Sequence, residues 1–248
     1  MHPADFYTGI VAELYAPLKS ARTDPALWAA VVRRYGEPAL ELGCGDGDPL
    51  LALRREGLDV EGVDSSADML ARCRAAAADA GIEVTLHHQR MEALDLPGRY
   101  RTVFLAGPTW NLLPDDATAS AALRAVRRHL TDDGTAVVPL FVPAPAAVAE
   151  LGRTREARDP DGALLRFSVR SQEHDEQTRT QRSVLRYERH ADGGSTVEDR
   201  TWTLHWYTQA GFRALADAAG LRTGAVLDRA GRPAPADAAA FTVVLRRG

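Results

Sequence analysis

Three glycines at alternate positions, Gly43, Gly45 and Gly47, follow the apolar run Ala39-Leu-Glu-Leu42, and a carboxylate, Asp64, comes seventeen residues after the last of them. Glycine serves where the chain needs positive φ or where a Cβ would block another molecule, so a loop of this kind lets a ligand touch backbone. The run before the loop reads as a buried strand, and the pattern from Leu50 reads as a helix. Leu58 to Asp64 reads as a second strand ending in an acid, the place where a strand-helix-strand unit holds a ribose diol. A dinucleotide fingerprint, G-x-G-x-x-G, requires Gly or Ala at position 48 so that helix and strand can pack closely. Position 48 is Asp, followed by Pro49. An NAD(P)-dependent oxidoreductase is therefore the weaker reading, and no second nucleotide-binding half is evident.

The elements that must position this loop follow from periodicity and caps. Phe6, Ile10, Leu14 and Leu18, with Tyr7, Val11 and Tyr15 beside them, predict an amphipathic helix ahead of the sheet. Asp24-Pro25 predicts a helix start, and that helix ends at Gly36. Strands are expected at Pro38 to Leu42, Asp59 to Val63, Glu83 to His87, Arg101 to Ala106 and Gly134 to Phe141. Helices are expected between them, one opened by a capping box at Ser65-x-x-Asp68 and one by Pro114-Asp-Asp116. This alternation predicts a parallel sheet with helices on both faces. After Pro143 the period changes. Residues 151 to 200 hold ten arginines and ten acids, and Asp192-Gly-Gly194 between two β-rich runs predicts a hairpin. Residues 163 to 207 are expected to form a three-stranded antiparallel excursion, too short to fold alone. In Thr201 to Tyr207 a period of two puts Trp202, Leu204 and Trp206 on one face and His205 and Tyr207 on the other. A helix from Thr208 to Gly220 then leads to an edge hairpin at Leu221 to Leu227 and Phe241 to Leu245.

In the register Glu41-x-Gly43-x-Gly45-x-Gly47 the chain resembles the class I S-adenosylmethionine-dependent methyltransferases, whose first motif is an acid-x-Gly-x-Gly-x-Gly loop. Val63 to Leu70 looks like that family's second motif, Phe104 to Leu113 like its segment after strand four, and Thr201 to Leu221 like the strand and helix before its last two strands. The resemblance implies a Rossmann-like, mostly parallel seven-stranded α/β sheet with helices on both faces, plus a small antiparallel β excursion after strand five. It implies a helical cap over residues 1–36, a cofactor-binding core over 37–143, a β insertion over 144–207 above the substrate site, and the rest of the core over 208–248. S-adenosyl-L-methionine is the implied cofactor and S-adenosyl-L-homocysteine the product. Its binding set would be Tyr15, Glu41, Gly43, Cys44, Gly45, Gly47, Asp64, Ser65, Met69, Met91, Glu92 and Ala106. The helix after the loop would turn its positive N-terminus to the cofactor's carboxylate.

Substrate contacts are expected from Tyr7, Thr109, Trp110, Asn111 and His205, with His205, Asn111 and Tyr207 the catalytic candidates. His205 titrates in the range a base needs. Core packing is the alternative for Trp110, Tyr7 and Tyr15, and a surface position the alternative for His205. The layout is similar to that of glycine or aminosugar N-methyltransferases, and the resemblance implies methyl transfer to an N or O nucleophile of a small molecule such as a secondary metabolite. A protein that binds the cofactor without catalysis is the other reading. A net charge of −4 over 248 residues offers no general attraction to polyanions, which argues against nucleic acid. No apolar run reaches membrane length and none of the seven histidines has metal-ligand spacing. The opening residues hold Asp5 and no apolar stretch of signal type. Two cysteines fit a reducing cytoplasm. A monomer, or a homodimer through the β insertion, is expected.

Overall fold

The computed structural model describes residues 5–19, 23–159 and 161–248, Val148 by its backbone only. The expected N-terminal cap is therefore seen over 5–19 and 23–36, and its remaining residues lie outside the described ones, as does part of the stretch read for a leader. Strands β1 (Ala39–Leu42), β2 (Val60–Asp64), β3 (Leu86–His88), β4 (Tyr100–Phe104) and β5 (Leu130–Phe141) pair in parallel. Helices α3 (Leu50–Arg55), α4 (Ala67–Asp79) and α5 (Asp116–His129) connect them, after α1 (Ile10–Leu18) and α2 (Pro25–Tyr35). Late in the chain, α6 (Gln209–Ala218) precedes β10 (Leu221–Leu227) and β11 (Ala240–Arg247), which join antiparallel at one edge. The strand order is β10-β11-β5-β4-β1-β2-β3, so β1 lies between β4 and β2, where the winding reverses. A crevice opens outside the carboxyl ends at such a switch point.

Period-two alternation decides what each face touches. Leu40, Leu42, Val103 and Leu105 face Leu123, Val126 and Phe212 of α5 and α6. Ala39, Val60 and Phe104 face Trp28, Leu50, Leu53 and Leu70 on the other side. Trp28 stacks on Phe104 with ring centroids 5.2 Å apart. The caps behave as expected at α2, where Asp24 accepts from Ala26 N, and at α5, where Asp115 accepts from Thr118 N. The expected box at Ser65 is displaced by one residue. Ser66 is the cap of α4, accepting from Met69 N at 3.1 Å, and Asp68 instead accepts from Gly9 N at 2.7 Å.

The second sheet has four antiparallel strands in chain order, one more than the sequence predicts: β6 (Thr154–Arg158), β7 (Leu164–Asp175), β8 (Thr180–Ala191) and β9 (Gly194–His205). The extra strand, Thr-Arg-Glu-Ala-Arg, is almost wholly exposed and lacks apolar alternation, so it carries no strand signal. The hairpin at Asp192-Gly193 is present, with Ala191 paired to Gly194. Leu165, Leu185 and Tyr187 of this sheet bury against Phe6, Ile10, Val11 and Leu14. Each such apolar side chain contributes about 1.5–3 kcal/mol on burial. The N-terminal helix is thus the missing core of a sheet that begins more than a hundred residues later. Among the described residues no helix is long and apolar enough to cross a membrane.

Candidate functional site

The crevice at the carboxyl ends of β1, β2 and β4 holds two adjoining cavities. The inner one is lined by Asp64, Ser65 and Met69 after β2 and by Gln89, Met91 and Glu92 after β3. The outer one is lined by Lys19, Glu41, Ala106, Phe141, Trp202 and Leu204. Tyr7, Tyr15, Gly43, Thr109 and Leu112 belong to both, which makes them one cleft.

The glycine loop shapes its floor. Gly43 has φ +71, and a Cβ there would lie 2.8 Å from Thr109 Cγ2. Threonine is stiff at χ1, so the methyl cannot move aside without turning a residue that lines the cleft. Gly43→Ala is expected to lower stability by about 1–3 kcal/mol, left-handed strain plus the clash. Thermal unfolding would show a Tm lower by several degrees, and an unchanged Tm would refute this account of the loop. Gly47, with φ +96, does different work. It backs onto Cys73 Sγ and Leu51 Cγ, each 2.8 Å from a Cβ built there, and lets α3 and α4 pack against the loop. Gly47 and Cys44 line neither cavity, and Cys44 is buried among apolar side chains.

The loop's donors are already engaged. Gly43 N and Cys44 N donate to Val63 O at 2.7 and 3.0 Å, and Gly47 N donates to Cys44 O at 3.0 Å. Gly45 N donates to Asp64 Oδ2 at 2.9 Å, and Ser66 N to Asp64 Oδ1 at 2.8 Å. Asp64 lines the inner cavity, and these N–H bonds fix the plane of its carboxylate. Burial pushes its pKa up, and the Ser66 and Gly45 N–H groups oppose that rise. α3 has only six residues, so the loop and its side chains, more than a helix N-terminus, shape this end of the cleft.

Glu41 is 1% exposed, and its Oε2 is buried with no hydrogen-bond partner. Burial raises its pKa well above the carboxylate range, reinforced by Asp48 and Asp64. Burial likewise raises that of Asp46. Among the described residues, four carboxylates thus crowd one end of the cleft against one cation, Lys19, whose Nζ is 2.9 Å from Asp48 Oδ2. Such a site favours a cationic ligand. Burial, then Tyr15 and Asp64, pushes the Tyr7 phenol upward. Burial and the neighbouring carboxylates push Tyr15 up to about 12. Both phenols stay neutral near pH 7 and meet edge to face, with centroids 5.6 Å apart.

Besides Cys44 and Gly47, four expected site residues line neither cavity. Trp110 is fully buried, edge-on to Phe212 at 5.7 Å, and is core. Asn111 donates to Phe141 O at 2.9 Å and to His205 O at 3.0 Å, and accepts from Phe141 N at 3.2 Å. Its amide pins β5 to the end of β9 and sets Phe141 and Leu204 in the cleft wall. His205 is buried, not on the surface, with Nε2 2.9 Å from Asp116 Oδ1. Asp116 also pairs with Arg179, whose guanidinium lies over the buried ring of Tyr207 at 5.5 Å. The face that meets the cleft is the other one, carrying Trp202 and Leu204, while Trp206 stacks on His174 at 4.5 Å. The period-two pattern contained that signal, but titratability drew the expectation to the wrong face. Lys19, Gln89, Arg90 and Phe141 line the cleft without having been foreseen. Arg90 pairs with Asp5 across the mouth at 3.1 Å.

The methyltransferase domain family matches residues 39–134, the stretch holding the glycine loop and Asp64. A dTDP-3-amino-3,6-dideoxy-alpha-D-glucopyranose N,N-dimethyltransferase of Streptomyces fradiae is 35% identical over 144 residues. That match covers 55% of this chain and 55% of the relative, so it spans about half of that protein's length. The CcbJ methyltransferase from Streptomyces caelestis shares the fold with a TM-score of 0.78 at 25% identity, over 99% of both chains. CalS10 of Micromonospora echinaspora, an amino pentose methyltransferase with S-adenosylmethionine bound, gives 0.69 at 21% identity, over 98% of this chain and 99% of that one. The doubly wound sheet, the switch-point glycine loop and the carboxylate at the end of β2 accompany that likeness: residues 39–134 match a methyltransferase domain, and the chain is similar to class I S-adenosylmethionine-dependent methyltransferases.

Proposed function

We propose that the chain transfers a methyl group to an amine of a small molecule, and that Asp64 and Glu41 hold the donor. The observation that carries this is the orphaned, buried Glu41 Oε2 in the same cleft as Asp64. Asp64 lines the cavity at the end of β2, where it would accept the ribose hydroxyls, and Glu41 is an acceptor in need of an ammonium. Met69, Met91 and Glu92 would flank the adenosine, and Gly43 and Gly45 let the aminocarboxypropyl chain approach backbone. When bound, S-adenosylmethionine supplies an electrophilic methyl on a sulfonium.

Orientation of two reactants can contribute roughly 7–11 kcal/mol. A general base contributes ~10²–10⁴-fold, about 3–5 kcal/mol. Positioning outweighs a base, and the cleft is built accordingly. Among the described residues no histidine lines either cavity, and Tyr7 and Tyr15 hold their protons. An amine that has lost its proton is nucleophilic without help, whereas a hydroxyl is not. The log of kcat/KM should therefore rise by one per pH unit and level off at the amine's own pKa. Transfer of labelled methyl to paired amino and hydroxy sugars across pH tests this. Equal labelling of the hydroxyl member, or no labelling of either, would overturn it. Free, buried Cys44 and Cys73 suit work in the reducing cytoplasm. Light scattering distinguishes a monomer from a homodimer through the second sheet.

A further inference from the structure

The outer part of the cleft is walled by Tyr7, Tyr15, Leu112, Phe141, Trp202 and Leu204. Its one cation, Lys19, is paired with Asp48 at 2.9 Å and lies 5.2 Å from the Tyr15 ring centroid. Lys19 is also the only lysine in the chain. Glu41 and Asp48 share this lining, so the local field is negative. Several arginines of the nearby second sheet are engaged with its own carboxylates. Arg166 meets Glu156 at 2.8 Å, Arg186 meets Asp199 at 2.8 Å, and Arg189 meets Asp159 at 2.9 Å. Beyond Glu41, a second polar atom near the wall has no partner: Trp202 Nε1 is buried, and no acceptor reaches it. A buried donor of this kind calls for an acceptor, and beside a cleft an arriving ligand can supply one.

Resting on the methyl-transfer reading above, we propose that the cleft takes its amine on an uncharged glycoside, not on a nucleoside diphosphate. An acceptor oxygen of the sugar meets Trp202 Nε1, and an apolar aglycone lies along Phe141 and Leu204. A diphosphate brings two negative charges toward Glu41 and Asp48, and among the described residues lining the outer cavity the one cation, Lys19, is already paired with Asp48; like charges in a half-buried cleft repel strongly. The Streptomyces fradiae relative is named for a dTDP-linked amino sugar, a leaving group to which the described lining offers no unpaired cation. In chemical order, a glycosyl transfer that discards the nucleotide then precedes methylation by this chain.

The test pairs two probes that carry one amino sugar, 3-amino-3,6-dideoxyglucose: its dTDP conjugate and its 4-nitrophenyl glycoside. With the full chain and labelled S-adenosylmethionine, the glycoside is expected to show kcat/KM at least tenfold above the conjugate. Trp202→Phe keeps the ring and removes the N–H. It is expected to raise KM for the glycoside roughly 3- to 10-fold, far more than it lowers kcat. A higher kcat/KM for the conjugate, or a KM indifferent to Trp202→Phe, would overturn the proposal. If neither probe is methylated, calorimetry on protein loaded with S-adenosylhomocysteine decides. Tighter binding of the glycoside, weakened by Trp202→Phe, supports the binding claim while the methyl-transfer reading falls. Tighter binding of the conjugate, or binding of neither, overturns the claim itself.

Discussion

Asp64→Ala is expected to weaken binding of S-adenosylmethionine by roughly 100- to 10,000-fold while leaving the protein folded. The carboxylate sits where β2 ends, held by N–H bonds from Gly45 and Ser66. Both hydroxyls of a ribose diol are expected to donate to it. A hydrogen bond to a charged group contributes ~1.5–3 kcal/mol, so losing two costs about 3–6 kcal/mol, or two to four decades in Kd. Truncation also strands Gly45 N and Ser66 N, but water in the emptied cavity can reach both, and the loss of stability should stay near ~1–2 kcal/mol. Calorimetric titration beside a thermal melt separates the two effects. A Kd within tenfold of the parent protein's, with a normal melt, would remove Asp64 from the donor site. There is a pH corollary. Burial raises the Asp64 pKa, and only the ionised form accepts both hydroxyls, so affinity should fall as pH drops through that raised value.

What the sequence made legible was local. Alternating β and α periods place each helix on a definite face, because burial selects every second strand residue and every third or fourth helix residue. The glycine loop and Asp64 are legible because close backbone approach restricts residue type to one. The second sheet is less so. Leu165, Leu185 and Tyr187 find their core in Phe6, Ile10 and Leu14 of the first helix, and no local rule pairs segments so distant. β6 leaves no trace because its side chains meet solvent on both faces. His205 illustrates a deeper limit. Its type suggested a base, but its Nε2 is hydrogen-bonded to Asp116, 89 residues away in the chain. The same distance hid Asn111, whose amide is occupied by the backbones of β5 and β9. Residue type states what a side chain can do, and only packing states which partner it has.

Glu41→Gln is expected to move binding and stability in opposite directions. In the free protein the carboxylate is buried, and one oxygen has no partner, so its folded pKa lies well above the unfolded value near ~4.3. A group whose pKa is raised on folding contributes its full stability below the unfolded pKa and loses it as pH rises through the folded one. The free protein should therefore weaken as pH climbs from about 4 toward neutrality, and Glu41→Gln should flatten that decline. At pH 7 the variant is expected to be about 1 kcal/mol more stable, a Tm higher by roughly 2–4 °C. The ligand reverses the preference. An ammonium beside Glu41 favours the ionised form, so in the parent protein affinity rises with pH across this window and binding releases a proton. Losing that contact should cost roughly 10- to 150-fold in Kd. Titrations in two buffers of unequal ionisation enthalpy count the proton directly. A parent protein that binds without proton release, or a Gln variant that binds as tightly, would show that the orphaned oxygen faces something other than the donor's ammonium.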